Sequence, residues 1–598
     1  MRLAPLLAAL LTASALSACA SVTPGAPAGL SERNRALMTA GQGRSPYGLF
    51  LAGEAALSAG RSDEAATLFA QAAAGAPDNQ AIQARAFSAA LTSGDLRRAT
   101  RLANALPVDD PTARGIGLVA RAVEALGAGR ASDARSLLAS ADPQPPHGLA
   151  AEILKPWAAA AAGNLDAALA PPPVAPAPLT VVPGQGGPTQ ASVSGSTRQI
   201  ADTLNQAARL DLLERAGRFQ EVDALVRAVD VSGLSTRQTL KVGGYLERRR
   251  RGPEAVTLYE QALARRPADR SLAAALARAR TGRNAPAMPS LKAGAAESLM
   301  IPAVAFAGGR QSEPALAYAR MALHLNPKLD EAWVLVGDLL AGAQDLDGAR
   351  KAYLAPAPGS DLYAPARARL AVLLNENGRE EEALQVARTA TAAAPEDASV
   401  LTAQASLLME AGRKSEAADV FNAALSTTRG QADWRLWYLR GSMRLEAERW
   451  PEAEADLQRA LQLAPEEPDI LNSLGYAWID RGQRLQEALA MVAKAAELRP
   501  RSGAIVDSLG WAHYRLGDFK QAAEVLERAA ELEPGDPTIN DHLGDAYWRV
   551  GRRTEAQFQW TRALSLEPEP ALKAQVQAKL ASPAGPDAKP PTAQASVP

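Results

Sequence analysis

Cysteine and histidine, the side chains that most often do nucleophilic and acid–base chemistry at neutral pH, number one and four in these 598 residues, and they are poorly placed for it. The single cysteine, Cys19, has no second thiol with which to form an intrachain disulfide. Four histidines, His147, His324, His513 and His542, are scattered, and no two stand at i and i+4 on one helix as a zinc motif requires. Asp507-Ser508 with His513 offers the residue types of a nucleophilic triad, but Ser508 lacks the Gly-x-Ser-x-Gly turn that exposes such a serine. Gly184-Gln185-Gly186-Gly187 has no preceding strand and is not a phosphate loop. Arg248 to Arg251 and Glu380 to Glu382 read as charges favourably placed at a helix end and a helix start. No catalytic residue, metal or cofactor is therefore expected, and the chain is read as a protein other than an enzyme.

What remains is a set of aromatic, acidic and arginine residues near the C-terminus, and a repeat must position them. Pro465, Pro500, Pro534 and Pro568 fall 35, 34 and 34 residues apart. Blocks aligned on them start at 434, 468, 503 and 537, and an insertion around Gln483 to Leu485 accounts for the single 35. Small residues at the eighth position (Gly475, Gly510, Gly544) and twentieth position (Ala453, Ala522, Ala556) allow two helices to approach closely. Gly517 and Gly551 end the first helix with positive φ, and Pro534 and Pro568 stop the second. Apolar residues at i, i+3/i+4 and i+7 make the face that the next block covers. The register extends backwards to starts at 398, 364, 330, 296, 236, 203, 149, 115, 80 and 46, about fourteen blocks in all, with the clearest distant copy at 46. This pattern resembles the tetratricopeptide repeat, a helix-turn-helix unit, which implies an all-α superhelical solenoid.

The flanking segments set the domain plan. Met1-Arg2 and an apolar run to Leu16 read as a secretory signal over residues 1–18, too short to remain as a membrane span. Leu16-Ser17-Ala18-Cys19 resembles the lipobox of bacterial lipoproteins, which implies cleavage before Cys19 and lipidation of its thiol. Ala20 in place of Asp resembles lipoproteins sorted to the outer membrane. A lipid-anchored tether over 19–45 then leads to an N-terminal array over 46–170. A Pro/Gly/Ser-rich linker over 171–197 separates this from a C-terminal array over 198–581, with a capping helix near Ala571 to Leu580 and a Pro/Ala-rich tail over 582–598. Pro286 and Pro289 mark a shorter break. A formal charge of −1 gives no reason to expect a nucleic-acid partner.

The resemblance also assigns a face. In tetratricopeptide arrays, positions 2, 5, 9, 12 and 13 of the first helix line the groove. Here they bring forward Asn472, Tyr476 and Asp480, then Asp507, Trp511, Tyr514 and Arg515, then Asp541, Asp545, Trp548 and Arg549. Aromatic and arginine side chains are the usual anchors of binding hot spots. The runs Asp507-Ser508-Leu509-Gly510-Trp511 and Asp541-His542-Leu543-Gly544-Asp545-Ala546-Tyr547-Trp548 resemble the C-terminal block of a proteobacterial family of tetratricopeptide lipoproteins. That family contains adaptors of periplasmic C-terminal-processing serine proteases that degrade peptidoglycan hydrolases. The resemblance implies an outer-membrane, periplasm-facing adaptor with protein partners of those classes. A structural scaffold of an envelope assembly, for polysaccharide export or outer-membrane biogenesis, stands beside it as the alternative.

Overall fold

The structure, a computed structural model, describes residues 45–106, 110–141, 146–170, 208–228, 233–266, 269–282, 285–426 and 431–581. The signal, Cys19, nearly all of the tether, the 171–197 linker and the tail lie outside the described residues. The described regular elements are helices, mostly in pairs of 13 or 14 residues such as Pro46–Ser58 with Ser62–Gly75 and Gly503–Arg515 with Phe519–Leu532. None of them is long and apolar enough to cross a membrane.

One backbone feature confirms the register across the array. The fifteenth residue of every block has positive φ. Ten of these are glycines between 65° and 90°, from Gly60 to Gly551, and four are Arg250, Arg310, Gln344 and Glu448 between 57° and 61°. A left-handed residue here ends the first helix and turns the chain back for the second. The hairpin then closes through a small-against-large pair at positions 8 and 24. A Cβ added to Gly53 would lie 2.7 Å from the Phe69 ring, one on Gly243 2.3 Å from Tyr259, and one on Gly544 2.5 Å from Trp560. Ala453, Ala522 and Ala556 at position 20 are fully buried for the same reason.

Local departures have local causes. The insertion in block 468 lengthens the first helix, Pro468–Arg481, to 14 residues and forces Arg484 to φ 44° beside Gly482 at 65°. In block 296 the helix starts five residues early, at Leu291, because Ser290 caps it by accepting from the Ala293 amide. The capping helix runs over Pro570–Ala581.

Contacts divide the chain into two compact parts at Ala394 and Pro395. Within residues 45–394, the N-terminal blocks do not stand apart as the sequence led us to expect. The first helices of blocks 80, 115 and 149, namely Gln80–Ser93, Pro111–Gly127 and Gly148–Ala161, close on the hairpin Leu291–Gly308 with Ser312–Leu325. Trp157 lies so close to Gly294 that an added Cβ would sit 2.1 Å from its ring, and its Nε1 donates to Ser298 Oγ at 2.8 Å. His147 Nδ1 and the Tyr318 hydroxyl are 2.9 Å apart, Arg320 Nε donates to the Thr92 carbonyl at 3.1 Å, and Lys292 Nζ donates to the Gly127 carbonyl at 2.7 Å. Desolvation pushes His147 down to about 4, so its imidazole is neutral at neutral pH.

Candidate functional site

The register positions assigned to a groove behave differently in the two parts. In blocks 80, 115 and 149, positions 9 and 13 include Ser88, Thr92, Gly127 and Trp157. These are residues that touch the 291–325 hairpin: Ser88 Oγ bonds to Glu313, and the others make the contacts just described. That face is filled by the chain itself.

In residues 468–549 the same positions split into an interior floor and an accessible rim. Asp507 is completely buried, and His542 Nδ1 of the next block faces both its oxygens at 2.9 and 3.0 Å. Burial opposes charge on His542, but the Asp507 carboxylate, with Asp541 and Asp545 beyond, outweighs it and holds the imidazole above its ordinary range. Asp541 and Asp545 are 3% and 4% exposed, and Lys579 of the capping helix is clamped between them. Its ammonium donates to both Asp541 oxygens and to Asp545 Oδ2, each at 2.8 Å, while Trp560 Nε1 donates to Asp545 Oδ1 at 3.0 Å. Burial, and then the adjacent Asp541, push Asp545 up to about 6 against the pull of Lys579. Asn472 is buried too, with its Oδ1 lacking a hydrogen-bond partner among the described residues. These four polar residues were expected on an open groove, and the structure buries them between helices, Asp507 against His542 of the next block and Asp541 and Asp545 against Lys579 of the capping helix.

The accessible members are aromatic and cationic. Trp511 is sandwiched between His542 at 4.0 Å and Tyr514 at 4.5 Å, nearly parallel to both, and stays partly exposed. Tyr514 accepts from Arg549 Nε at 3.1 Å, and burial raises its phenol so that it stays neutral. Tyr476 is half-buried, and burial with Asp507 and Asp480 nearby likewise keeps it protonated. Trp548 packs 5.4 Å from Trp560 on one side and carries the Arg553 guanidinium 5.0 Å from its ring on the other. Arg515 donates to the Asp480 carbonyl at 2.9 Å, and Arg549 is exposed.

Three functional-looking residues escaped the sequence reading: His542, Trp560 and Lys579. His542 had a usable signal, since it stands 35 residues after Asp507, one repeat period, where first helices of adjacent blocks touch. No triad forms around Ser508. Its hydroxyl donates to the Ala504 carbonyl at 3.0 Å, and His513 Nδ1 faces Asp518 at 3.7 Å instead.

Tetratricopeptide-repeat family models match residues 56–122, 402–468, 438–505 and 507–536. No curated protein matches the sequence. Among solved structures, the Cut9 and Hcn1 hetero-tetramer of the APC/C is 16% identical, covering 90% of this chain and 97% of that one at a TM-score of 0.36. A tetratricopeptide-repeat protein from Parabacteroides merdae is 16% identical, over 41% of this chain and 96% of that one at 0.34. YrrB, described as having an unusual peptide-binding site, is 21% identical, over 32% and 97% at 0.25. With helix pairs in a register of fourteen left-handed turns and family matches in both halves, the fold is an all-α tetratricopeptide-repeat solenoid.

Proposed function

We propose that this protein is a non-catalytic adaptor that docks protein partners on the aromatic and arginine rim of residues 468–553. The observation that carries the reading is the partly exposed stack of Trp511 on Tyr514, with Arg515 and Arg549 beside it. Large rigid aromatic faces bordered by guanidinium groups concentrate binding energy at little entropic cost. In blocks 80, 115 and 149 the corresponding face is filled by the 291–325 hairpin, whereas the C-terminal rim is partly exposed, which favours it as the docking surface. The resemblance to the lipoprotein family that includes LbcA supplies the finer proposal. Lipidated at Cys19 and held at the outer membrane, the protein brings cell-wall hydrolases to a periplasmic C-terminal-processing protease.

Arg515→Glu in the full chain tests the site. Among the described residues Arg515 hydrogen-bonds only to a backbone carbonyl, so the melting curve should stay within a degree or two while partner capture and protease stimulation fall at least tenfold. Undiminished capture would remove the rim as the docking site. Cys19→Ser tests the anchor, and the variant should leave the outer-membrane fraction; retention there after carbonate extraction would refute lipidation.

A further inference from the structure

Trp511, the partly exposed ring of the rim, is held by its two faces. One lies 4.0 Å from His542 with 11° between the planes, and the other 4.5 Å from Tyr514 with 7°. Behind His542 stands the buried Asp507 carboxylate, so the indole rests on an ion pair. One register step back, a contact between the same positions is neutral. Position 5 of block 434 and position 6 of block 468 are Tyr438 and Ser473, whose hydroxyls lie 3.3 Å apart. A neutral pair therefore suffices to join adjacent first helices at this point, and blocks 503 and 537 place a titratable pair there instead.

The elements packed around His542 set its charge. Its own helix, Pro537–Arg549, brings Asp541 and Asp545, and Gly503–Arg515 brings Asp507. Pro570–Ala581 brings Lys579, which Asp541 and Asp545 hold, and Tyr514 beside them accepts from Arg549. Tyr476 of Pro468–Arg481 stays protonated near Asp507. Trp560 of Arg553–Ser565 donates to Asp545, and Glu527 of Phe519–Leu532 is taken up by Tyr547 and Arg552. Three carboxylates thus surround two cations, His542 and Lys579. With Asp545 protonated, as it becomes when pH falls through about 6, the cluster is balanced. Once Asp545 and then His542 have lost their protons, the buried site carries two net negative charges. The imidazolium also attracts the indole face above it, a cation–π contact that the neutral ring lacks.

We infer, on the reading that this rim is the docking face, that His542 is its positioning residue: the protonated ring, held from behind by Asp507, fixes Trp511 in the stack, and partners dock less tightly when that proton leaves. A ring already in its bound orientation incurs little ordering cost when the partner arrives, and loosening it restores that cost. A cation–π contact of this kind changes an equilibrium by about three- to thirtyfold. The rim is therefore ordered in mild acid and loosens as pH rises above 6.5, the ordinary imidazole value.

The test uses the full chain carrying carbon-13-labelled histidine and fluorotryptophan, followed by NMR from pH 5 to 9. The signals of His542 and Trp511 are assigned by their loss in His542→Gln and Trp511→Phe. The Trp511 fluorine shift should titrate with the midpoint of His542 and stay flat in His542→Gln. In Asp507→Asn both midpoints should move to lower pH together, by about one unit or more. A Trp511 signal indifferent to the His542 titration, one that still titrates in His542→Gln, or midpoints unmoved in Asp507→Asn would overturn the proposal. Docking is read with a purified periplasmic C-terminal-processing protease as the probe. Its capture should weaken at least threefold from pH 6 to 8.5 with wild-type protein and lose that dependence with His542→Gln; the same dependence with both would also overturn the proposal. If no protease is captured at any pH while Trp511 follows His542, the adaptor reading falls and the positioning of Trp511 by His542 stands.

Discussion

Replacing Trp157 by Ala tests whether the N-terminal blocks and the 291–325 hairpin form one body. The indole is 2% exposed and packs flat on Gly294, which has no side chain to fill the void that truncation would leave. Truncating such a residue costs about 3–5 kcal/mol. The Nε1 bond to Ser298 is a minor share, about 1 kcal/mol, because Ser298 Oγ also donates to the Gly294 carbonyl at 3.0 Å and keeps that bond. Trp157→Phe should therefore lose far less than Trp157→Ala. Gly294→Ala is the complementary change, pressing a methyl into a rigid ring with an overpacking cost of about 1–3 kcal/mol. Hydrogen exchange of the full chain is the assay. Amides in Gly148–Ala161 and Leu291–Gly308 should lose protection together in Trp157→Ala, while those in Phe519–Leu532, in the other compact part, keep theirs. Loss of protection confined to Gly148–Ala161, or none at all, would refute the clamp and restore the picture of blocks that touch only their sequence neighbours.

Three further outcomes follow from the same geometry. Glu448 holds φ 58° at a turn where ten other blocks use glycine, so Glu448→Gly should stabilise by about 0.5–1 kcal/mol, read as a raised midpoint in urea; an unchanged midpoint would show that the turn is not strained. Lys579→Met leaves Asp541 and Asp545 buried without their cation and should cost about 3–5 kcal/mol, with Pro570–Ala581 the first segment to exchange; normal protection there would mean the clamp holds nothing. Asp545 and His542 both bind protons more tightly folded than unfolded, so their contributions are complete only below their ordinary values of 3.8 and 6.5. They are lost as pH rises through about 6 for Asp545 and through the raised value of His542. The fall in melting temperature from pH 5 to 8 should be shallower in Asp545→Asn, and an unaltered slope would show that Asp545 does not titrate in that window.

Legibility in the sequence followed the range of the interaction. The left-handed turn and the pairing of Gly544 with Trp560 lie inside one hairpin, and their spacing repeats, so block starts at 46, 80, 330, 398 and 468 to 537 coincide with helix starts. The contact between Trp157 and Ser298 spans 141 residues and recurs nowhere, so periodicity carries no trace of it. Asp507, Asp541 and Asp545 were found at the right helix positions and given the wrong surroundings. Positions 5 and 9 lie against the following helix as well as the groove, and the residue that helix brings, His542 to Asp507, is not set by the repeat pattern. Lys579 comes from outside the register, on the capping helix.

The same rule separates structural charge from charge available to a partner. In a stacked array an ionic side chain meets its opposite number about one period away, as Glu214 meets Arg248, Asp507 meets His542 and Asp545 meets Lys579. Such pairs tie block to block, and their members are spent on the fold. Arg515, by contrast, meets the backbone carbonyl of Asp480 one period earlier and not its carboxylate, close to the Trp511 and Tyr514 stack. The floor of buried acids thus ties the last blocks to one another and to the capping helix, and it carries on its outer side the Trp511 and Tyr514 stack proposed above as the docking rim.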